Sequence, residues 1–196
     1  MLVDKSITEF LNELKSDAPT PGGGGVAALT AANGVALIMM TANLTISVEK
    51  YAEWHGLCRY VIAEVEPILE QLEEDIDADA DQFSKLITAY RSKDDATIGA
   101  AAIDAATVPL EVMKLSVIAL GHCQSLLHKS NPNLESDLHV AALCLRAAIM
   151  SAKYNVDENL HGMCKVDEEL ADEYRSKSEE YLEQGTTLSR EILEAK

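Results

Sequence analysis

Apolar residues recur every third or fourth position along most of this chain, and no sustained period-two alternation occurs. That spacing belongs to helices rather than strands. Ser6–Lys15 sets Ile7, Phe10, Leu11 and Leu14 on one face, with Ser6 or Thr8 as the N-cap. A central helix is predicted from about Gly24 to Val48, a third from Trp54 to Arg91, and a fourth from Asp95 to Leu127 with Pro109 as a break or kink. The fifth starts at the capping pair Ser136-Asp137, after the turn signal Asn131-Pro132-Asn133, and ends near Asn155–Leu160. The last, Asp167–Ala195, is charged on one side and carries Leu170, Tyr174, Tyr181, Leu188, Ile192 and Leu193 on the other. The pattern predicts an all-α, up-and-down bundle of five or six long helices. Its extensive apolar faces also predict a helical dimer.

The second of these segments breaks the pattern. From Ala18 to Val48 there is no charged residue, although Asp, Glu, Lys and Arg make up 25% of the chain. Pro19-Thr20-Pro21-Gly22-Gly23-Gly24-Gly25 leads into a run apolar nearly all round. Four glycines suit a sharp bend or a close approach to a ligand, since each loses much backbone entropy on ordering. A helix apolar on every side is expected to be buried on every side. The run is long enough for a membrane span, but its Ala, Gly, Thr and Asn content and its lack of a basic flank speak against one. It begins too late for a secretory signal. No Gly-Lys-Ser/Thr follows the glycines, so this is not a phosphate-binding P-loop.

At 196 residues and 47% hydrophobic, the chain is expected to form one helical domain over residues 1–196. A net charge of −17 argues against nucleic-acid binding, which needs clustered Lys and Arg. Cys58, Cys123, Cys144 and Cys164 show no CxxC spacing and read as reduced thiols of a cytoplasmic protein. The five histidines are scattered and form no recognisable ligand pair, so no metal site is expected.

The third helix carries a carboxylate in an unusual place. Its apolar line is Leu57, Val61, Val65, Ile68, Leu69, Leu72, Ile76, Phe83, Leu86, Ile87 and Tyr90. Asp79 lies three residues after Ile76 and four before Phe83, on that same stripe, while Asp75 falls nearer its edge. A buried carboxylate is costly unless paired, and burial raises its pKa toward the range of a general acid or base. The alternative is a carboxylate paired or rotated into solvent, as most of the surrounding acidic run must be.

Five ordered segments across about residues 5–165 resemble the folate cyclodeaminase/cyclohydrolase family, which includes the C-terminal domain of formiminotransferase-cyclodeaminase and stand-alone bacterial relatives. They are Pro19-Thr20-Pro21-Gly22-Gly23-Gly24; Asp79-Ala80-Asp81-Gln82-Phe83 with Ala89-Tyr90; Ala105-Ala106-Thr107-Val108-Pro109-Leu110; Asn131 to Asn133 with Ser136-Asp137 and Ala141-Ala142; and Asn155-Val156 with Asn159-Leu160. The resemblance implies a dimeric helical enzyme acting on a tetrahydrofolate derivative in the cytoplasm, with no metal or other cofactor, no nucleic acid and no membrane. It places the catalytic aspartate on Asp79. It implies that Gly22, Gly23 and Gly24 border the folate cleft, and that Asn131, Ser136, Asp137 and Asn155 line or support it. Arg91 and Lys93 are candidates for the substrate's glutamate carboxylates. The chain departs from the family pattern at Asp157 and Glu158, where an apolar residue is usual.

Two reactions fit. The first is formimidoyltetrahydrofolate cyclodeamination, in which N10 attacks the amidine carbon and ammonia leaves to give 5,10-methenyl-tetrahydrofolate. The second is methenyltetrahydrofolate cyclohydrolysis, in which water opens the methenyl bridge to 10-formyl-tetrahydrofolate. Both pass through a tetrahedral carbon between two nitrogens, and both need a group that moves protons. A helical scaffold that has lost the chemistry is the third reading.

Overall fold

The computed structural model describes residues 1–195; Lys196, the end of the expected domain, lies outside the described residues. In chain order the elements are α1 (Ile7–Leu14), α2 (Gly23–Ile46), a 3₁₀ turn at Glu49–Trp54, α3 (His55–Ser92), α4 (Asp95–Leu126), a 3₁₀ turn at Pro132–Leu134, α5 (Glu135–Met163) and α6 (Glu168–Glu194). The described residues contain no strand.

Local chemistry explains the starts. Ser6 caps α1 in a capping box with Glu9. Asp94 and Asp167 cap α4 and α6 through bonds from Thr97 N–H and Leu170 N–H. The turn before α5 is made by Asn131, whose side-chain oxygen accepts from Asn133 N–H. Helix α5 begins at Glu135, directly after the 3₁₀ turn, so Ser136 and Asp137 sit in its first turn rather than at its cap. It also runs on to Met163, beyond the expected end. Helix α4 continues through Pro109, which is buried, instead of breaking there. Helix α3 ends at Lys93, which takes a left-handed conformation at φ 58° where glycine would be usual.

Helix α2 packs closely against α3 and α5 and more lightly against α4. Its small residues permit this closeness: a β-carbon on Gly34 would lie 2.8 Å from Leu145 Cγ and 3.0 Å from the Ala141 carbonyl. Ala28, Ala31, Val35, Ile38 and Ala42 from α2 meet Val61, Val65 and Leu72 from α3 and Leu138, Leu145 and Ala152 from α5 in the core. Over half of the most apolar window of α2 is buried within the bundle, as a core helix requires. The expectation that α2 is covered on every side fails, however. Asn33, Ala36, Met40, Asn43 and Leu44 form an exposed, uncharged stripe, because α4 covers only the opposite side. The N-terminal segment is tied to α3 by the backbone N–H groups of Leu2 and Val3, which donate to the Asp77 carboxylate.

The apolar line of α3 divides into two parts. Val61, Val65, Ile68, Leu72 and Ile76 are buried, whereas Phe83, Ile87 and Tyr90 are exposed. Asp75, expected nearer the edge, is the more deeply buried of the two aspartates, at 4% exposure.

Candidate active site

The exposed part of the α3 line forms one wall of a cavity of about 340 Å³. Asp79, Phe83, Leu86, Ile87 and Tyr90 line it from α3, spaced at helical intervals along a single face. Asn155, Glu158 and Asn159 line it from α5, and Ala105 from α4. The lip is the loop Pro19, Thr20, Gly22, Gly23 and Gly24, which leads into the first turn of α2. The volume falls in the range of small-molecule sites, which are mainly apolar walls with a few placed polar groups.

The glycines and Asp79 are fitted to one another. The N–H of Gly25 donates to Asp79 Oδ2 at 2.9 Å. A β-carbon on Gly24 would overlap the Asp79 carboxylate. A side chain on residue 24 would therefore expel the aspartate. Burial pushes the Asp79 carboxyl above its ordinary range, and the Gly25 N–H pulls the other way without cancelling the rise. The protonated acid is thus favoured more than in water, while one oxygen stays held in a fixed direction. The first N–H groups of a helix have no partners within it, so the loop-to-helix junction also presents donors toward the cavity.

The α5 wall is ordered by its own amides. Asn155 Nδ2 donates to the Ser151 carbonyl at 2.9 Å. Asn159 Nδ2 donates to the Asn155 carbonyl and, across to α4, to the Ala105 carbonyl at 3.3 Å. Asn155 also stands against the lip, 3.6 Å from where a Gly23 β-carbon would be.

Gly22, Gly23, Gly24, Asp79 and Asn155 thus converge at one cavity. The other residues singled out from the sequence do not join them within one chain. Asn131 lies at the far end of α2, its N–H donating to Thr45 Oγ1 at 2.9 Å. Ser136 and Asp137 occupy the first turn of α5, so Ser136 stands about 28 Å along that helix from Asn155 at 1.5 Å per residue. Arg91 and Lys93 are exposed and do not line the cavity. Arg91 points about 100° round the helix from Tyr90, and Lys93 turns the chain away toward α4. Conversely, Phe83, Ile87 and Tyr90 read from the sequence as core and prove to be cleft wall. Glu158 and Asn159 complete the opposite side. The available signal was the aspartate on the apolar stripe, beyond which the stripe faces the cavity instead of a neighbouring helix.

Among the described residues no group of three or more His, Cys, Asp and Glu converges as a metal site. The four cysteines are free thiols, with Cys58 and Cys123 buried.

A methenyltetrahydrofolate cyclohydrolase from Methylorubrum extorquens is 33% identical, over 99% of this chain and 97% of its own length. A formimidoyltransferase-cyclodeaminase from Mus musculus is 30% identical over 83% of this chain, which corresponds to 32% of that longer protein. The crystal structure of formiminotetrahydrofolate cyclodeaminase from Thermotoga maritima superposes with a TM-score of 0.92 at 26% identity, covering 98% of this chain and 96% of that one. The formiminotransferase-cyclodeaminase family model matches residues 6–180, which takes in every wall of the cavity. This chain belongs to the formiminotransferase-cyclodeaminase family.

Proposed function

We propose that this protein hydrolyses 5,10-methenyl-tetrahydrofolate to 10-formyl-tetrahydrofolate, as a cytoplasmic homodimer with no cofactor beyond the folate itself. The observation that carries this reading is Asp79: a carboxyl biased toward its protonated form, held by Gly25 N–H, at the end of a cavity walled by Phe83, Ile87 and Tyr90. The methenyl carbon is part of an amidinium cation shared between two nitrogens. The cavity lining contains two acidic side chains and neither Lys nor Arg, which suits a cationic reacting centre in a chain of net charge −17. The exposed rings of Phe83 and Tyr90 offer stacking surface to a flat heterocycle. Asp79 is the proton carrier, delivering a proton to N5 as its bond to the former methenyl carbon breaks.

The cyclohydrolase relative from Methylorubrum extorquens, matched over 97% of its own length, supports hydrolysis as the first reading. Cyclodeamination of 5-formimidoyl-tetrahydrofolate is the second reading, favoured by the close superposition on the Thermotoga maritima cyclodeaminase. It uses the same carboxyl, with ammonia as the leaving group. The homodimer is supported by a surface to which α1, α2 and α5 each contribute exposed apolar side chains, among them Ile7, Leu11, Met40, Leu44, Leu143 and Met150. Exposed apolar side chains on neighbouring elements suit an interface, and the uncharged stripe of α2 is where two strongly acidic copies can meet with least repulsion.

The test is absorbance of the methenyl chromophore with purified protein. Accelerated loss of added methenyl-tetrahydrofolate supports the hydrolase, and appearance of the chromophore from formimidoyl-tetrahydrofolate supports the cyclodeaminase. A folded protein silent in both assays would overturn the enzymatic reading and leave a binding or scaffold role.

A further inference from the structure

We propose that Glu158 is a second catalytic carboxylate, the base that takes a proton from the attacking water; this rests on the hydrolytic reading above. Glu158 lines the cavity from α5, across from Asp79 on α3. It is exposed, and no hydrogen bond or ion pair among the described residues engages its carboxylate. Its neighbours are committed elsewhere: Asp157 is paired with Lys153 at 2.5 Å, and Asn159 is tied to the carbonyls of Ala105 and Asn155. The α5 wall is thus fixed on either side of one unpaired acid that faces the cleft.

Two carboxyls in unlike settings divide acid and base work between them. Asp79 is half-buried, and desolvation raises its carboxyl above the ordinary range, whereas Glu158 is open to solvent and can pass a proton to bulk water. Water attacks the methenyl carbon: a C–O bond forms, the C=N pair moves onto nitrogen and neutralises the cation, and one water proton goes to Glu158. In the second step the C–N5 bond breaks as N5 takes the Asp79 proton. The hydroxyl O–H pair becomes the formyl C=O, and its proton restores Asp79. One proton is released overall, through Glu158. The titratable groups around Glu158 are Asp79 and Tyr90 across the cavity on α3, with Tyr154, Asp157 and His161 on its own helix. Helix α2 contributes none, having no charged residue.

The experiment compares wild type with Glu158→Gln in methenyl-tetrahydrofolate hydrolysis between pH 5 and 9, alongside thermal melts. The expected result is a fall in kcat of about a hundredfold, typical of a lost general base, with KM changed less than about threefold. The melting temperature is expected to stay the same. Wild-type kcat in the variant, or a loss confined to KM, would each overturn the proposal while leaving the hydrolytic reading intact. A wild type that cyclodeaminates but does not hydrolyse overturns the role of Glu158 and keeps the family chemistry. A wild type silent with both folates removes the functional reading, and Glu158 with it.

Discussion

The Asp79 carboxylate occupies the space that a β-carbon on residue 24 would need. The glycine loop and α3 are therefore not independent: the absence of a side chain at Gly24 is what lets Asp79 reach the first turn of α2 and accept the Gly25 N–H. Gly24→Ala tests this directly. Alanine is the better helix former by roughly 1 kcal/mol, so the variant should melt within a few degrees of wild type. It should nevertheless lose activity by about a hundredfold, because the displaced carboxyl no longer meets the substrate in line. Steady-state rates and a thermal melt on one preparation decide the matter. Near-wild-type turnover would show that the carboxylate does not need this position.

Asp79→Asn separates chemistry from fold. The asparagine oxygen can accept the same Gly25 N–H, but the side chain carries no transferable proton. Turnover should fall by about 10²–10⁴. Stability should move the other way. Burial raises the Asp79 carboxyl in the folded protein, so the folded chain holds this proton more tightly than the unfolded one, and the fold loses stability as pH climbs past the ordinary carboxylate range. Asn escapes that loss. The variant should melt higher than wild type at pH 7, and the difference should shrink toward pH 4. A variant less stable than wild type at both pH values would contradict the assignment of burial as the dominant influence.

Much of this was legible in the sequence, and particular residues show why the rest was not. Helix positions follow from periodicity, which is local, so the long helices could be read to within a few residues, and Ser6 stood among the cap candidates. Asp79 stood out because a charge interrupts an apolar stripe. Periodicity cannot say what covers a stripe, however. Phe83 and Tyr90 carry the same pattern as Val61 and Val65, yet one pair faces a cavity and the other a core. Nor can it place helix ends relative to one another. Asn131 and Ser136 are drawn away from the cleft by the antiparallel packing of two long helices, a tertiary fact absent from either helix alone. Asp75 was misjudged for a related reason. Its burial is set by the neighbouring α4, which brings Glu111 close.

The exposed apolar stripes of α2 and α5 predict how the proposed dimer comes apart. Leu143 is 50% exposed and sits mid-face on α5, so a charge there meets no partner in the free chain and a desolvated surface in a dimer. Leu143→Glu should shift the protein from dimer to monomer in sedimentation velocity. Thr187→Glu, on the polar outer side of α6, should leave it dimeric. Identical sedimentation of Leu143→Glu and wild type would move the interface elsewhere.

Asp75 predicts a pH dependence of stability unconnected with catalysis. Its Oδ1 accepts from Gln71 at 3.0 Å, while its buried Oδ2 has no hydrogen-bond partner. Burial pushes the carboxyl from 3.8 up to about 6; the Gln71 bond opposes the shift, and Glu111 and Glu74 add to it. The folded chain therefore binds this proton more tightly than the unfolded one. No penalty applies below about pH 4. Stability is lost progressively as pH rises toward 6, and the full penalty, on the order of 3 kcal/mol, persists above that. Asp75→Asn removes the charge and keeps a group that can meet Gln71, although its amide also needs a partner, which halves the expected gain. At 2–4 °C per kcal/mol for a chain of this size, the variant should melt about 3–6 °C above wild type at pH 7.5 and no higher at pH 4. Comparing the two proteins at each pH cancels the slopes from the remaining carboxylates. A gain of equal size at both pH values would mean that packing, and not ionisation, controls this position.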